Sequence, residues 1–80
     1  MDNSWTAEEK KTIIRTARDH MKRLTFGYIT KDGKVSQDRE IEVVELDERD
    51  PYNVKVWGRD MKDKRKLKRF DLDGMQEIQI

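Results

Sequence analysis

Four turn signals divide residues 24–80 into five short segments, and this division constrains the fold more than any other feature. They are Lys31-Asp32-Gly33-Lys34, Asp47-Glu48-Arg49-Asp50-Pro51, Asp60-Met61-Lys62-Asp63-Lys64 and Asp71-Leu72-Asp73-Gly74. Asp-Gly between alternating segments is the strongest short-range hairpin signal, and proline stops a strand from continuing. The first segment, Leu24–Thr30, puts Leu24, Phe26 and Tyr28 on one face. The return strand runs from Val35 to Leu46, and its apolar parity changes between Val43 and Val44. A bulge, or a strand buried on both faces, is expected there. Tyr52–Arg59 places Tyr52, Val54 and Val56 inward and Lys55, Trp57 and Arg59 outward. Arg65–Leu72 completes a second hairpin, and Met75–Ile80, with Ile78 and Ile80 in phase, gives a last short strand. Five such strands have one economical arrangement, a small, strongly bent antiparallel barrel.

Before the barrel comes one helix. Thr6-Ala7-Glu8-Glu9 has the form of a capping box, and the two glutamates suit the positive end of a helix dipole. Ile13, Ile14, Ala17 and Met21 recur at helical spacing, with Leu24 continuing the line, so the helix is expected over residues 5–23. Lys11, Arg15, Arg18 and Lys22 form a second, basic stripe about 120° around the wheel, beside an Asp19–Arg23 pair. The class is therefore mainly β (α+β): an N-terminal amphipathic helix, then a five-stranded barrel over residues 24–80. The helix closes one end of the barrel or an open edge. Residues 1–80 make one domain with a loose start at Met1–Ser4.

Charge bears on partners more than on fold. Charged residues make up 44% of the chain, yet the net charge is only +1, so the high net charge that accompanies disorder is missing. The signs are segregated: Asp32–Asp50 is mainly acidic and Pro51–Phe70 mainly basic. Unless folding interleaves the two blocks, the molecule has a strong dipole. Cysteine is absent, which removes disulfides and thiolate chemistry. No apolar run is long enough for a signal peptide or a membrane-spanning helix, and a cytoplasmic protein is the simplest expectation.

Enzyme signatures are missing too. No phosphate-binding glycine loop or nucleophile elbow occurs, and His20, the only histidine, lacks partners at metal-ligand spacing. His20 reads as a half-buried structural residue. No catalytic residue, metal site or cofactor is expected. The remaining signal is an aromatic ring among cations, which suits a polyanion whose bases can stack. The candidate nucleic-acid-binding residues are Lys55, Trp57, Arg59, Lys62, Lys64, Arg65, Lys66, Lys68 and Arg69, with the stripe Lys11, Arg15, Arg18 and Lys22 secondary. Two alternatives stay open for Trp57: an outward stacking platform, or packing beneath the helix against Ile13 and Met21. Trp5 reads either as a cover on the barrel or as an exposed anchor for a protein.

Two stretches resemble a known family. Leu24-x-Phe26-x-Tyr28 with Lys31-Asp32-Gly33, then Val54-x-Val56-x-Gly58-x-Asp60 and Arg69-Phe70-x-Leu72-Asp73, resemble the order and spacing of WYL domains over roughly Thr25–Ile78. The resemblance implies an Sm-like, SH3-like small barrel. It also implies a ligand-sensing or regulatory module with nucleic acid as a favoured ligand, here as a small stand-alone form of the kind found in bacteria and phages. The namesake triplet would fall at Val54-Lys55-Val56, and Asp71 and Gly74 stand where the family carries arginine. Two functions follow as expectations. The first is a non-enzymatic regulatory protein that binds single-stranded RNA or DNA with low sequence specificity through the basic hairpin. The alternative is a protein-interaction module that docks on a larger transcription or replication complex and modulates it, possible in phage takeover of a host.

Overall fold

The computed structural model describes residues 5–80, so the expected loose start at Met1–Ser4 lies outside the described residues. Helix α1 spans Ala7–Asp19 and opens with the expected capping box. The Glu9 N–H donates to the Thr6 hydroxyl at 3.1 Å, and the Thr6 N–H donates to the Glu9 carboxylate at 2.9 Å. The helix ends earlier than its apolar stripe suggests. His20 caps it, Met21 turns left-handed at φ 55°, and the Lys22 N–H reaches back to the Ala17 carbonyl at 2.8 Å. That is a Schellman closure with methionine where glycine is usual. Two expectations are thereby corrected. Met21 is 92% exposed and is not part of the core, and His20 is an exposed cap rather than a half-buried residue.

Five strands follow: β1 Arg23–Ile29, β2 Val35–Asp47, β3 Lys55–Asp60, β4 Lys66–Asp71 and, after a 3-10 turn at Leu72–Gly74, β5 Met75–Gln79. They form one antiparallel sheet in the order β4-β3-β2-β1-β5. The long β2 pairs with β1 through its first part and with β3 through its second, which couples the two hairpins. Extra residues bend the sheet at three places. Val44 produces the shift between Val43 and Glu45, Asp38 (φ 57°) opposes the Phe26/Tyr28 step, and Glu77 (φ 50°) opposes the Thr25/Gly27 step. The edge strands β4 and β5 do not pair, so the bent sheet stays open. The 3-10 turn bridges them, and the Tyr28 hydroxyl accepts the Asp71 N–H at 2.9 Å.

The core lies inside the bend. Leu24, Phe26, Ile41, Val56, Phe70, Leu72, Met75 and Ile78 pack there with Ile14 and Ala17 of α1. Phe26, Tyr28 and Phe70 meet edge-to-face, with centroids 5.1–6.3 Å apart. The buried Lys10 amine donates to the Leu72 carbonyl at 3.3 Å and ties the helix to the 3-10 turn, and burial pushes its pKa down. Two further expectations are corrected. Tyr52 precedes β3, in a turn organised by Asp50, and is 88% exposed. Ile80 is exposed although it is in phase with the buried Ile78, because β5 ends at Gln79. No helix among the described residues is long and apolar enough to cross a membrane.

Candidate nucleic-acid interface

β3 and β4 pair without a bulge from Lys55↔Asp71 to Asp60↔Lys66. Val56 and Phe70 are buried between them, so the alternate residues Lys55, Trp57, Arg59, Leu67, Arg69 and Asp71 form the outer face. β2 adds Asp47, Glu45 and Glu42 opposite Lys55, Trp57 and Arg59. Trp57 therefore points away from the core that α1 helps to fill, and packing beneath the helix is excluded. Its indole is half-buried by its strand neighbours, and the Arg69 guanidinium lies 5.8 Å from the ring centroid.

The other candidate cations divide into two groups. Several are already engaged: Lys55 with the Asp71 carboxylate, Arg65 with Glu42 at 2.8 Å, and Lys68 with Asp60 at 3.0 Å and Asp63 at 2.7 Å. Lys62 donates to the Asp38 carbonyl at 2.7 Å. The hydrogen bond from Lys55 holds the Asp71 carboxyl below its ordinary range. Arg59, Lys64, Lys66 and Arg69 are exposed and have no acidic partner among the described residues. Arg59 and Arg69 share the outer face with the indole, whereas Lys66 has the opposite parity on β4 and Lys64 lies in the turn. The carboxylates of β2 flank the indole on the other side. Folding thus interleaves the acidic and basic blocks and leaves a narrower free basic strip than the sequence offers.

The secondary stripe does not join this strip. Lys11 and Arg15 converge on Glu48 in the β2–β3 loop, at 3.4 and 2.7 Å, and Arg18 pairs with Asp19 at 3.1 Å. The loop and the β3–β4 turn lie at opposite ends of β3, about 20 Å apart at the usual rise per residue. Lys22 is exposed and has no acidic partner among the described residues.

Asp60 supports the turn, a role the sequence reading missed. It is only 3% exposed, and its carboxylate accepts Arg39 at 3.1 Å, Lys68 at 3.0 Å and the Lys62 N–H at 2.9 Å. Burial pushes its pKa up, but the bonds from Lys68 and Lys62 and the Arg39 charge outweigh this and hold it below the ordinary value. Arg39 also lies 5.6 Å from the Phe70 ring centroid. Above Asp60, Lys64 and Arg65 both adopt left-handed backbone, at φ 54° and 58°. The Lys66 N–H closes this second tight turn on the Asp63 carbonyl at 3.0 Å. Non-glycine residues pay roughly 1–2 kcal/mol each for that conformation. Trp5 lines a shallow apolar groove with Ile13 and Ile80 at the other side of the molecule.

No family model and no curated protein matches the chain. Among solved structures, it is similar to proteasome accessory factor B/C (PafBC) of Arthrobacter aurescens, with a TM-score of 0.76 at 16% identity. The alignment covers 91% of this chain and 11% of that protein, so the chain spans about a tenth of its length. At that identity the likeness establishes a common fold and nothing more.

Proposed function

We propose that this is a small non-enzymatic regulatory or accessory protein that binds single-stranded nucleic acid through the outer face of its β3–β4 hairpin, with low sequence specificity. The observation that carries the reading is a half-exposed indole with the unpaired Arg59 and Arg69 beside it on the outer face, and the unpaired Lys64 and Lys66 at the turn end of the same hairpin. Phosphates would follow the β4 side and the turn, because Glu42 and Glu45 repel them on the β2 side. A base would stack on Trp57 as Arg69 swings from the ring to a phosphate, and stacking of this kind contributes about 1–3 kcal/mol per base. Nothing on this face reads base edges, which is why low specificity is expected. The fold shared with a segment of PafBC fits an accessory or regulatory role. A cytoplasmic setting suits the reading.

Fluorescence anisotropy with labelled single-stranded RNA and DNA over a salt series tests it. Four phosphate contacts predict a slope of log K against log salt of about −3. Trp57→Ala should weaken binding by about 1–3 kcal/mol with the fold intact. Absence of binding at low salt overturns the reading.

A further inference from the structure

The backbone of β4 has a free side. The Leu72 N–H donates to the Val54 carbonyl at 3.0 Å, and the pairing stays in step from there to the turn. Alternation then directs the backbone groups of Phe70 and Lys68 toward β3 and those of Leu67, Arg69 and Asp71 away from it. Asp71 is occupied, since its N–H donates to the Tyr28 hydroxyl at 2.9 Å. Leu67 and Arg69 remain, each with an N–H and a C=O on an edge that no strand covers. The Leu67 side chain is 50% exposed and diagonal to Trp57 on the outer face.

The two sheet edges differ in the way that matters for strand addition. β5 carries a bulge at Glu77, where the backbone turns left-handed, and bulges are a common protection against edge pairing. β4 is regular over its whole length. Its protection is charge, from Lys66, Lys68 and Arg69, which discourages neutral or basic strands and favours an acidic one.

We propose that the β4 edge accepts an extended acidic segment of a partner protein, which adds as a sixth strand alongside Leu67 and Arg69. The segment alternates apolar and acidic residues: its apolar side chains lie on the outer face over Leu67 and the rim of Trp57, and its carboxylates lie on the opposite face, where Lys66 is unpaired and Lys64 follows in the turn. The window is short, set by the Tyr28 cap at one end and the strained turn at the other. This inference is independent of the nucleic-acid reading. Strand addition needs the backbone of β4, whereas phosphate binding needs only its side chains.

The test uses the isotope-labelled full chain and a capped heptapeptide alternating glutamate and valine, with a lysine–valine peptide as control. At saturation, amide exchange at Leu67 and Arg69 should slow by about tenfold or more, with Phe70 and Asp71 unchanged. Leu67→Pro removes one edge N–H that the β3 ladder does not use, so it should keep the fold and weaken peptide binding by about tenfold. If Leu67→Pro does not fold, the exchange map of the unaltered protein decides alone. Failure of the acidic peptide to bind, equal binding of the lysine peptide, protection on β5 instead, or undiminished binding by a folded Leu67→Pro would each overturn the proposal. Protection of Leu67 and Arg69 by an oligonucleotide and not by the peptide would overturn it in favour of nucleic acid.

Discussion

The two hairpins of this molecule are built differently at their tips. The β1–β2 tip follows the local rules: the Gly33 N–H closes a turn on Thr30 at 3.0 Å, glycine takes the left-handed position at φ 89°, and the Thr30 N–H bonds to the Lys34 carbonyl at 2.9 Å. The β3–β4 tip has two left-handed residues and no glycine, and both are cationic. A buried carboxylate and its ion pairs hold this second turn where residue preference does not. The first hairpin behaves as scaffold. The second departs from local preference at the place where its free cations are presented, as strained functional segments do.

The largest expected effect tests whether both hairpins share one core. Phe70 contacts Phe26 and Tyr28 of the first hairpin from the second, so Phe70→Ala should cost about 3–5 kcal/mol in denaturant unfolding. Leu67→Ala, on the outer face of the same strand, should cost no more than about 0.5 kcal/mol. Similar losses from the two would mean that the assigned faces of β4 are wrong.

The next effect tests the support beneath the cationic tip. Asp60→Asn leaves Arg39 and Lys68 facing a neutral group. Since each of these side chains is 30% exposed and can recover water, the expected cost is about 1–3 kcal/mol rather than that of a fully buried pair. The Asp60 pKa is lower in the folded state than in the unfolded chain. Its contribution is therefore complete above the unfolded value, near pH 4, and is lost as pH falls through the folded value. Other carboxylates also titrate in acid, among them Asp47, lowered to about 2 by Arg49. The informative quantity is the difference between Asp60→Asn and the unaltered chain, which should shrink below pH 4. A difference that does not vary with pH would remove Asp60 from this role.

The outline of the fold was legible because it rests on short-range chemistry. The capping box, the Asp32-Gly33 hairpin, the inward row Leu24-Phe26-Tyr28 and the parity change at Val43/Val44 each need only a few neighbouring residues. What was not legible depends on residues far apart or on tertiary override of preference. Met21 closes the helix in a conformation its side chain disfavours, so periodicity carried the helix too far. Glu77 shifts the phase of β5 without any glycine to announce it. Within the candidate site, period two put Trp57 on the face opposite Val54 and Val56, but packing beneath the helix stayed open until the register of β3 and β4 was known. The pairing of half the cations did not show in the sequence, because Arg65–Glu42 and Lys62–Asp38 join strands that the sequence separates by more than twenty residues. Asp60 read as an ordinary turn residue for the same reason, since Arg39 lies on another strand.

A third comparison exchanges the chemistry of the two tips. Replacing Lys64-Arg65 by Asn-Gly gives the second turn residues that tolerate left-handed backbone, at the loss of the Arg65–Glu42 pair. Net stabilisation of about 1 kcal/mol is expected from denaturant midpoints, because exposed pairs contribute little. The same variant should bind single strands more weakly, with the salt slope reduced by about 0.7 for the lost Lys64 contact. Opposite signs for stability and binding would show that the strain is kept for function. An unchanged midpoint would show that the tip is not strained.

The smallest effect on binding comes from the orthodox tip. An added Cβ at Gly33 meets nothing within 4 Å, so Gly33→Ala has no clash to relieve and costs only the strain of left-handed backbone, about 1–2 kcal/mol. Gly58 provides the contrast: a Cβ there would lie 2.6 Å from the Ile41 side chain and 3.0 Å from the Glu42 carbonyl, so packing adds to any backbone cost. Nucleic-acid binding by Gly33→Ala should be unaltered once the folded fraction is taken into account, because none of the four free cations lies on the first hairpin. If Gly33→Ala weakens binding while the protein remains folded, the partner also touches the β1–β2 tip. The division of labour between scaffold hairpin and binding hairpin would then have to be redrawn.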